Sequence, residues 1–443
     1  MIWIIVGYMW LFIHRPFEIW PIFATIRIER LYMIFTLIAW FAISPKTWTS
    51  NRCSGAIFLI AFSITISSLF SPYEGLGLGD NFITENWFKI FVFFLLVMTS
   101  IRTEKDLKIL VTAFVVCFTI YLLHSYREFL CGRHEYRMGT IRMIGVDKTM
   151  NDPNSLGSSI NYTLAFLLPL LALAKEFKVK KYKRITYLFI LGSFGLYVLC
   201  VQLTGSRSAF AFLGLSIFGL AMLSKYRVRL LLTLAIAVPI VWFSLPANLQ
   251  NRFRTLWDHE SGPANAQASA ESREEFFWIG LELWKKHPLF GQGPGSFQIA
   301  SGTDMQPHGL IPQVISELGT LGAIAYLSLL GAFFFNQLVA LQLYKKMKKL
   351  KKENEVLYLY RVSFAVSWAG VLLVGLGFAG HNAYRFNWIW YAAFQALAIG
   401  LLKKKVDEIE TAQTVVPRPV LPNNPQYVNE PQQPRVNNRQ AVP

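Results

Sequence analysis

Three polar side chains in an otherwise apolar chain have the types and the placement for chemistry on an anion. Arg207 stands in TGSRSAF, where one apolar run ends and the next begins, and Arg273 opens REEFFWIGLELW. His308 follows in PHGLIP, just before another long apolar run. A guanidinium is permanently charged and offers several donors in a planar fork, which suits a phosphate or diphosphate better than a point charge does. A neutral imidazole, unperturbed at about pKa 6.5, could accept a proton from a hydroxyl as that hydroxyl attacks. Plainer readings stand beside these. Arg207 could be a snorkelling anchor at a bilayer boundary. Arg273 could pair with Glu274 or Glu275, although adjacent residues do not face each other on a helix. His308 could be an ordinary interfacial histidine, with His259, His287 and His381 as competitors.

Between Arg273 and His308 lies HPLFGQGPGSF, in which Gly291, Gly293 and Gly295 permit backbone close to a ligand or to another segment. These glycines do not match a nucleotide-binding fingerprint, which follows a strand. Before them, Phe276, Phe277, Ile279, Leu281, Leu283 and Trp284 suggest a helix lying against a membrane surface. The whole connection 246–309 is far longer than connections usually run, itself a pointer to function.

The elements that must position these residues are membrane helices. Hydrophobic residues make up 53% of the 443 positions, aromatics 15% and charged residues 16%, and the mean hydropathy is +0.38. That balance excludes an ordinary soluble domain. Apolar runs near the roughly 20 residues needed to cross about 30 Å of hydrocarbon recur along the chain. They fall at approximately 2–20, 31–45, 55–70, 87–101, 107–130, 155–174, 185–203, 208–223, 228–245, 310–344, 360–380 and 386–402. The expected fold class is therefore all-α: a polytopic integral membrane protein of about twelve transmembrane helices, with a large loop before the last three. The first run meets His14, Arg15 and Pro16 without a small-residue cleavage site, so no cleavable signal peptide is expected.

Orientation follows from the cations, which are retained on the cytoplasmic side near helix ends. The segments 175–184, 224–229, 345–352 and 403–405 are densely basic and fall on one face, which is therefore read as cytoplasmic, together with both termini. The loop with Glu74, Asp80 and Glu85, the loop 131–154, the turn 204–207, the loop 246–309 and the turn 380–385 then lie outside. Loop 131–154 breaks the charge rule with Arg133, Arg137, Arg142 and Lys148, cations that could be there to meet an anion. Most of the net charge of +17 lies in the cytoplasmic connections, so it speaks for orientation and anionic lipid, not for nucleic acid. Cys53, Cys117, Cys131 and Cys200 show neither a disulfide framework nor metal-ligand spacing. The transmembrane domain is read as 1–406. The segment 407–443, rich in Pro, Asn, Gln and Val, is read as a disordered cytoplasmic tail, with PRPVLP and PQQPRV as possible polyproline ligands.

In order, MNDPNSLGSS before one span, TGSRSAF opening another, and SRE, HPLFGQGPGSF and PHGLIPQVISELGTLGAIAYL across the long loop resemble the O-antigen ligase and polymerase superfamily of bacterial envelopes. The resemblance implies an integral-membrane glycosyltransferase. Such an enzyme moves a glycan from an undecaprenyl-diphosphate carrier to an acceptor hydroxyl at the outer face of the inner membrane, without metal, nucleotide or other cofactor. It implies that Arg207 and Arg273 bind the diphosphate and that His308 is catalytic. Asp152 and Asn154, from the recurrent DPN element, and Ser206 are supporting candidates. Where the family often has His-Asn, Gly309 follows His308 here, so that asparagine has no counterpart. The acceptor stays open among a lipid A-core sugar (ligase), another glycan chain (polymerase) and a protein hydroxyl. Outside enzymology, a transporter or flippase would bury ionisable groups near midspan, and a scaffold would use the Pro-rich tail. The outer loops offer no convincing carboxylate pair for a retaining hydrolase, and single displacement would invert the anomeric carbon.

Overall fold

The computed structural model describes residues 1–43, 46–73, 81–137, 139–254 and 265–414. The chain begins with α1 (Ile2–His14), the short α2 (Pro16–Ile19) and α3 (Pro21–Thr25), then α4 (Ile28–Ala42), α5 (Arg52–Leu69), α6 (Asn81–Ser100) and α7 (Glu104–Leu130). A hairpin of β1 (His134–Arg137) and β2 (Thr140–Met143) follows, pairing Glu135 with Arg142. Next come α8 (Pro153–Leu164), α9 (Leu167–Glu176), α10 (Lys180–Thr204), α11 (Arg207–Met222) and α12 (Arg227–Ser244). The long connection holds α13 (Ala247–Arg254), α14 (Asn265–Lys286) and α15 (Phe297–Ser301). The chain closes with α16 (Leu310–Lys349), α17 (Glu353–Gly377) and α18 (Phe386–Thr414). The all-α class holds, and the hairpin is its one departure among the described residues.

Among the described residues, eight helical stretches are long and apolar enough to cross a membrane. They include α1 with α2, and α8 with α9, each pair interrupted for a local reason. Arg15 adopts a left-handed conformation (φ 49°) ahead of Pro16. Pro169 has no N–H to offer the Ala165 carbonyl four residues back, and the helix breaks there. The other positions where the sequence predicts spans hold α4, α6, α11 and α18, which are shorter or more polar.

At the centre is α18. Residues 386–399 are all buried, so this helix is apolar on every side and packed against α5, α6, α7, α16 and α17. At the periphery α12 buries nothing in the protein and packs mainly on α11. The basic connections gather at one end of the bundle, where Lys108 bridges Glu104 (2.7 Å) and Glu176, and Lys405 also meets Glu104. The hairpin and the long connection gather at the other end.

Two expectations need correction. The segment expected as a single long helix at 310–344 is interrupted within α16 at Gly319 (φ 65°, ψ −161°), and the glycine-rich loop fills the gap. The N–H groups of Gln292 and Gly293 donate to the Ser316 and Glu317 carbonyls (2.8 and 3.0 Å). In return those of Thr320 and Leu321 donate to Pro288 and Leu289 (2.8 and 3.2 Å). The first residues of the segment expected as tail are helical, because α18 runs on to Thr414, held in part by the contact of Lys346 with Glu410; residues 415–443 lie outside the described residues.

A Cβ on Gly319 would lie 2.5 Å from the Leu289 carbonyl oxygen, in a backbone conformation that L side chains avoid. Gly319→Ala is therefore expected to cost about 2–4 kcal/mol. Gly192→Ala, whose Cβ meets nothing within 4 Å, should be neutral. Thermal unfolding of both variants in detergent checks the contrast.

Candidate active site

The end of the bundle opposite the basic connections concentrates guanidinium groups. The turn between α10 and α11 is the anchor. Gly205 closes α10 in a left-handed conformation (φ 58°), and Ser206, fully buried, caps α11 by accepting the Ala209 N–H at 3.4 Å. Arg207 is thereby fixed as the first residue of α11, half-buried. Two further arginines grip the carbonyls of the same turn. Arg142 Nε donates to the Thr204 carbonyl (2.9 Å), and Arg252 Nε, from α13, to that of Gly205 (2.6 Å).

Arg142 is 1% exposed, and its remaining nitrogens meet Asn154 Oδ1 (3.2 Å) and Glu135 Oε2 (3.6 Å). This defines the parts played by the DPN element. Asn154 holds Arg142, and Asp152 caps α8 by accepting the Ser155 N–H at 2.7 Å. Asp152, Asn154 and Ser206 thus set the backbone and the arginines in place.

Arg273 enters from α14. The helix expected on the membrane surface docks one face on α16: Gly280 lies against Pro312, and Phe276 and Leu283 pack with Phe297. Phe277 and Trp278 stay exposed. The plain pairing of Arg273 is not what the fold builds. Glu274 and Glu275 are exposed, whereas Arg273 is half-buried, and its guanidinium is held below its ordinary range by burial and then by the Arg207 charge.

His308 precedes α16, with its ring edge-on to Phe276 (centroids 5.4 Å apart, planes at 74°). Burial lowers its pKa, Arg273 and Arg137 lower it further, and Asp152 opposes them. Arg207, Arg273 and His308 therefore come together from three separate elements. Of the competing histidines, His381 is within electrostatic reach of His308 and Arg385, His287 is exposed on the far side of the glycine-rich loop, and His259 lies outside the described residues.

The electrostatics are lopsided. Burial, followed by Arg142, Arg207 and Arg137, pulls the Arg252 guanidinium down to about 10, against a smaller opposing effect of Glu135. Among the described residues, five guanidinium groups (Arg137, Arg142, Arg207, Arg252 and Arg273) thus share one neighbourhood with two carboxylates, Glu135 and Asp152. So many like charges are held together against their repulsion, and a bound anion relieves it. Arg252 was not singled out by the sequence reading. The signal that finds it is the one noted for loop 131–154, arginine on the face where positive charge is under-represented.

Glu317 supports the site from beneath. It is fully buried just ahead of the Gly319 break, and accepts from Tyr384 Oη at 2.7 Å. Its other oxygen makes no well-formed hydrogen bond, although the Gly295 and Phe297 N–H groups are near. The glycine-rich loop and the 380–385 turn are tied together through this carboxylate.

Replacing Arg142 by Met strips partners from Asn154 and the Thr204 carbonyl in a buried setting. A loss of about 2–4 kcal/mol is expected, read as a lower unfolding temperature, whereas Arg137→Met, at an exposed position, should leave stability within about 0.5 kcal/mol.

No curated protein matches the chain. Residues 192–327 match the family model described as O-antigen ligase, a stretch that runs from α10 into α16 and contains Arg207, Arg252, Arg273 and His308. That match, over under a third of the chain, and the ordered motifs around it support a likeness to the O-antigen ligase superfamily and, with it, a ligase- or polymerase-like role in glycan processing.

Proposed function

We propose that this protein transfers a glycan from an undecaprenyl-diphosphate carrier to an acceptor hydroxyl at the outer face of the bacterial inner membrane. Its termini and basic connections then lie in the cytoplasm. The observation that carries the reading is the convergence of Arg207, Arg273 and His308 at the end of the bundle away from the basic connections, inside a surplus of guanidinium groups. A cationic set of this kind suits an oxyanion, whereas a metal calls for neutral imidazoles, thiolates or carboxylates.

The reaction needs little beyond these groups. As the acceptor oxygen bonds to the anomeric carbon, the bond from that carbon to the carrier diphosphate breaks, and the configuration inverts. The acceptor proton passes to His308, and the leaving diphosphate keeps the electron pair, its negative charge met by Arg207 and Arg273. Arg142 and Arg252 hold the turn from which Arg207 projects. A base must be neutral to act, and burial, followed by the Arg273 charge, favours neutral His308 at physiological pH.

The acceptor distinguishes the members of this reading: a lipid A-core sugar for a ligase, a growing chain for a polymerase, a protein hydroxyl for an O-oligosaccharyltransferase. Transport of a lipid-linked glycan is less well supported. Two buried ionisable groups inside the bundle are engaged within the protein, Lys89 with Glu29 at 3.1 Å and Glu317 with Tyr384.

His308→Ala should reduce transfer by about 10²- to 10⁴-fold with the fold retained. The assay is transfer from an undecaprenyl-diphosphate glycan to lipid, sugar and peptide acceptors by purified protein. Undiminished transfer by a folded variant removes the assignment. Arg207→Lys and Arg273→Lys should each keep only part of the activity, because the charge survives but the planar fork does not; full activity in both would reduce the arginines to point charges.

The pH profile gives an independent check. Lowering the pKa of His308 extends its neutral form to lower pH, so activity should be lost only as pH falls below the ordinary histidine range of about 6.5. At saturating donor, Arg273→Gln removes a charge that depresses this pKa and should shift the acid limb upward.

A further inference from the structure

At the end of the bundle that carries the basic connections, far from His308, a cavity of about 240 Å³ opens between the end of α4 and the junction of α6 with α7. It lies below the roughly 300–1,000 Å³ typical of sites for whole organic ligands, so it suits a headgroup rather than a cofactor. Trp40, Ile43, Lys46, Ser100, Arg102 and Asp106 are among its walls.

Two cations and one carboxylate, Asp106, line it, so positive charge is in excess there. Arg102 Nε is buried and has no hydrogen-bond partner. Lys46 Nζ sits 4.5 Å from the centre of the Trp40 ring, which is fixed by donation from its Nε1 to Thr99 Oγ1 at 2.9 Å. Asp106 is already engaged, accepting from the Thr103 hydroxyl (2.7 Å) and backbone N–H (3.3 Å) in the capping box of α7. A buried guanidinium nitrogen left unmatched costs free energy that an anion would return.

The approach to the cavity is apolar. Leu31, Ile34, Ile38 and Phe41 follow one another at spacings of three and four along α4, which puts them on one face. All are more than half exposed (59%, 51%, 63% and 69%). This stripe runs toward the rim at Ile43, so that an anionic group in the cavity and a hydrocarbon chain on the stripe would belong to one molecule.

We propose that this cavity binds the phosphate of an anionic phospholipid, with Lys46 and Arg102 on the phosphate oxygens and an acyl chain along the α4 stripe. The site is independent of glycan transfer and stands or falls separately from it.

The test is native mass spectrometry of the full chain in detergent, titrated with phosphatidylglycerol, phosphatidylcholine or inorganic phosphate. Phosphatidylglycerol should bind in preference to phosphatidylcholine, and Lys46→Gln/Arg102→Gln should weaken it by about thirty-fold, the effect of removing two cations at a membrane surface. Lys46→Arg/Arg102→Lys should retain it. Ser100→Trp, which fills the cavity with the charges in place, should abolish it and serves if the double glutamine variant does not fold. Displacement of the lipid by millimolar inorganic phosphate would locate the recognition in the phosphate alone; no displacement would assign it to phosphate and chain together. Equal binding of phosphatidylglycerol by wild type, the double glutamine variant and Ser100→Trp, or no preference over phosphatidylcholine in the wild type, overturns the proposal.

Discussion

The structure depends on a broken helix whose exposed backbone is repaired by a loop. Where α16 is interrupted at Gly319, carbonyls and N–H groups lose their intrahelical partners in a region with little water, and leaving them unpaired would be costly. The segment 288–293 meets this need by pairing in both directions, as a strand would. Gly291 and Gly293 allow it, since a side chain at either would collide with Glu317 or Ser71. Because α14 precedes this loop and His308 precedes α16, the same repair fixes the approach of Arg273 to His308. Glu317 and Tyr384 extend the tie to the 380–385 turn. A long connection, which would otherwise be loosely held, becomes part of the helical body.

The second constraint is electrostatic. Arginines do not crowd together at the end of a membrane bundle without help, and here part of that help comes from backbone carbonyls. Arg142 and Arg252 use the carbonyls at the C-terminal end of α10, where the helix dipole is negative. Both contacts hold the turn from which α11 and Arg207 start. His308 lies beside this cluster, and its pKa is lowered first by burial and then by Arg273.

Much of this was legible in the sequence, for identifiable reasons. Hydropathy located the helices because a span needs a continuous apolar run whatever its neighbours do, and the basic connections did fall at one end. Arg207, Arg273 and His308 stood out as polar residues at the boundaries of such runs, and the fold brings all three together. What could not be read was pairing at a distance. Gly319 within PQVISELGTLG has a glycine's helix-weakening effect, but nothing local says that the chain breaks there or that residues 288–293 fill the gap. The DPN element could be named only as a supporting candidate. Its carboxylate caps a helix and its amide holds Arg142, a contact that depends on a hairpin invisible to hydropathy. Arg252 hid in a short helix whose apolar residues, Leu249 and Phe253, speak only of packing.

The isolation of α12 has a mechanical consequence. A helix that buries no side chain in the protein exchanges lipid for lipid when it tilts, so its position is soft while α18 at the centre is rigid. This soft element is joined at one end to the helix that begins with Arg207 and at the other to the helix that carries Arg252. The bundle's compliance is thus concentrated along one seam beside the arginine cluster, pinned near its end by Trp242 against Leu245, Leu249 and Phe253.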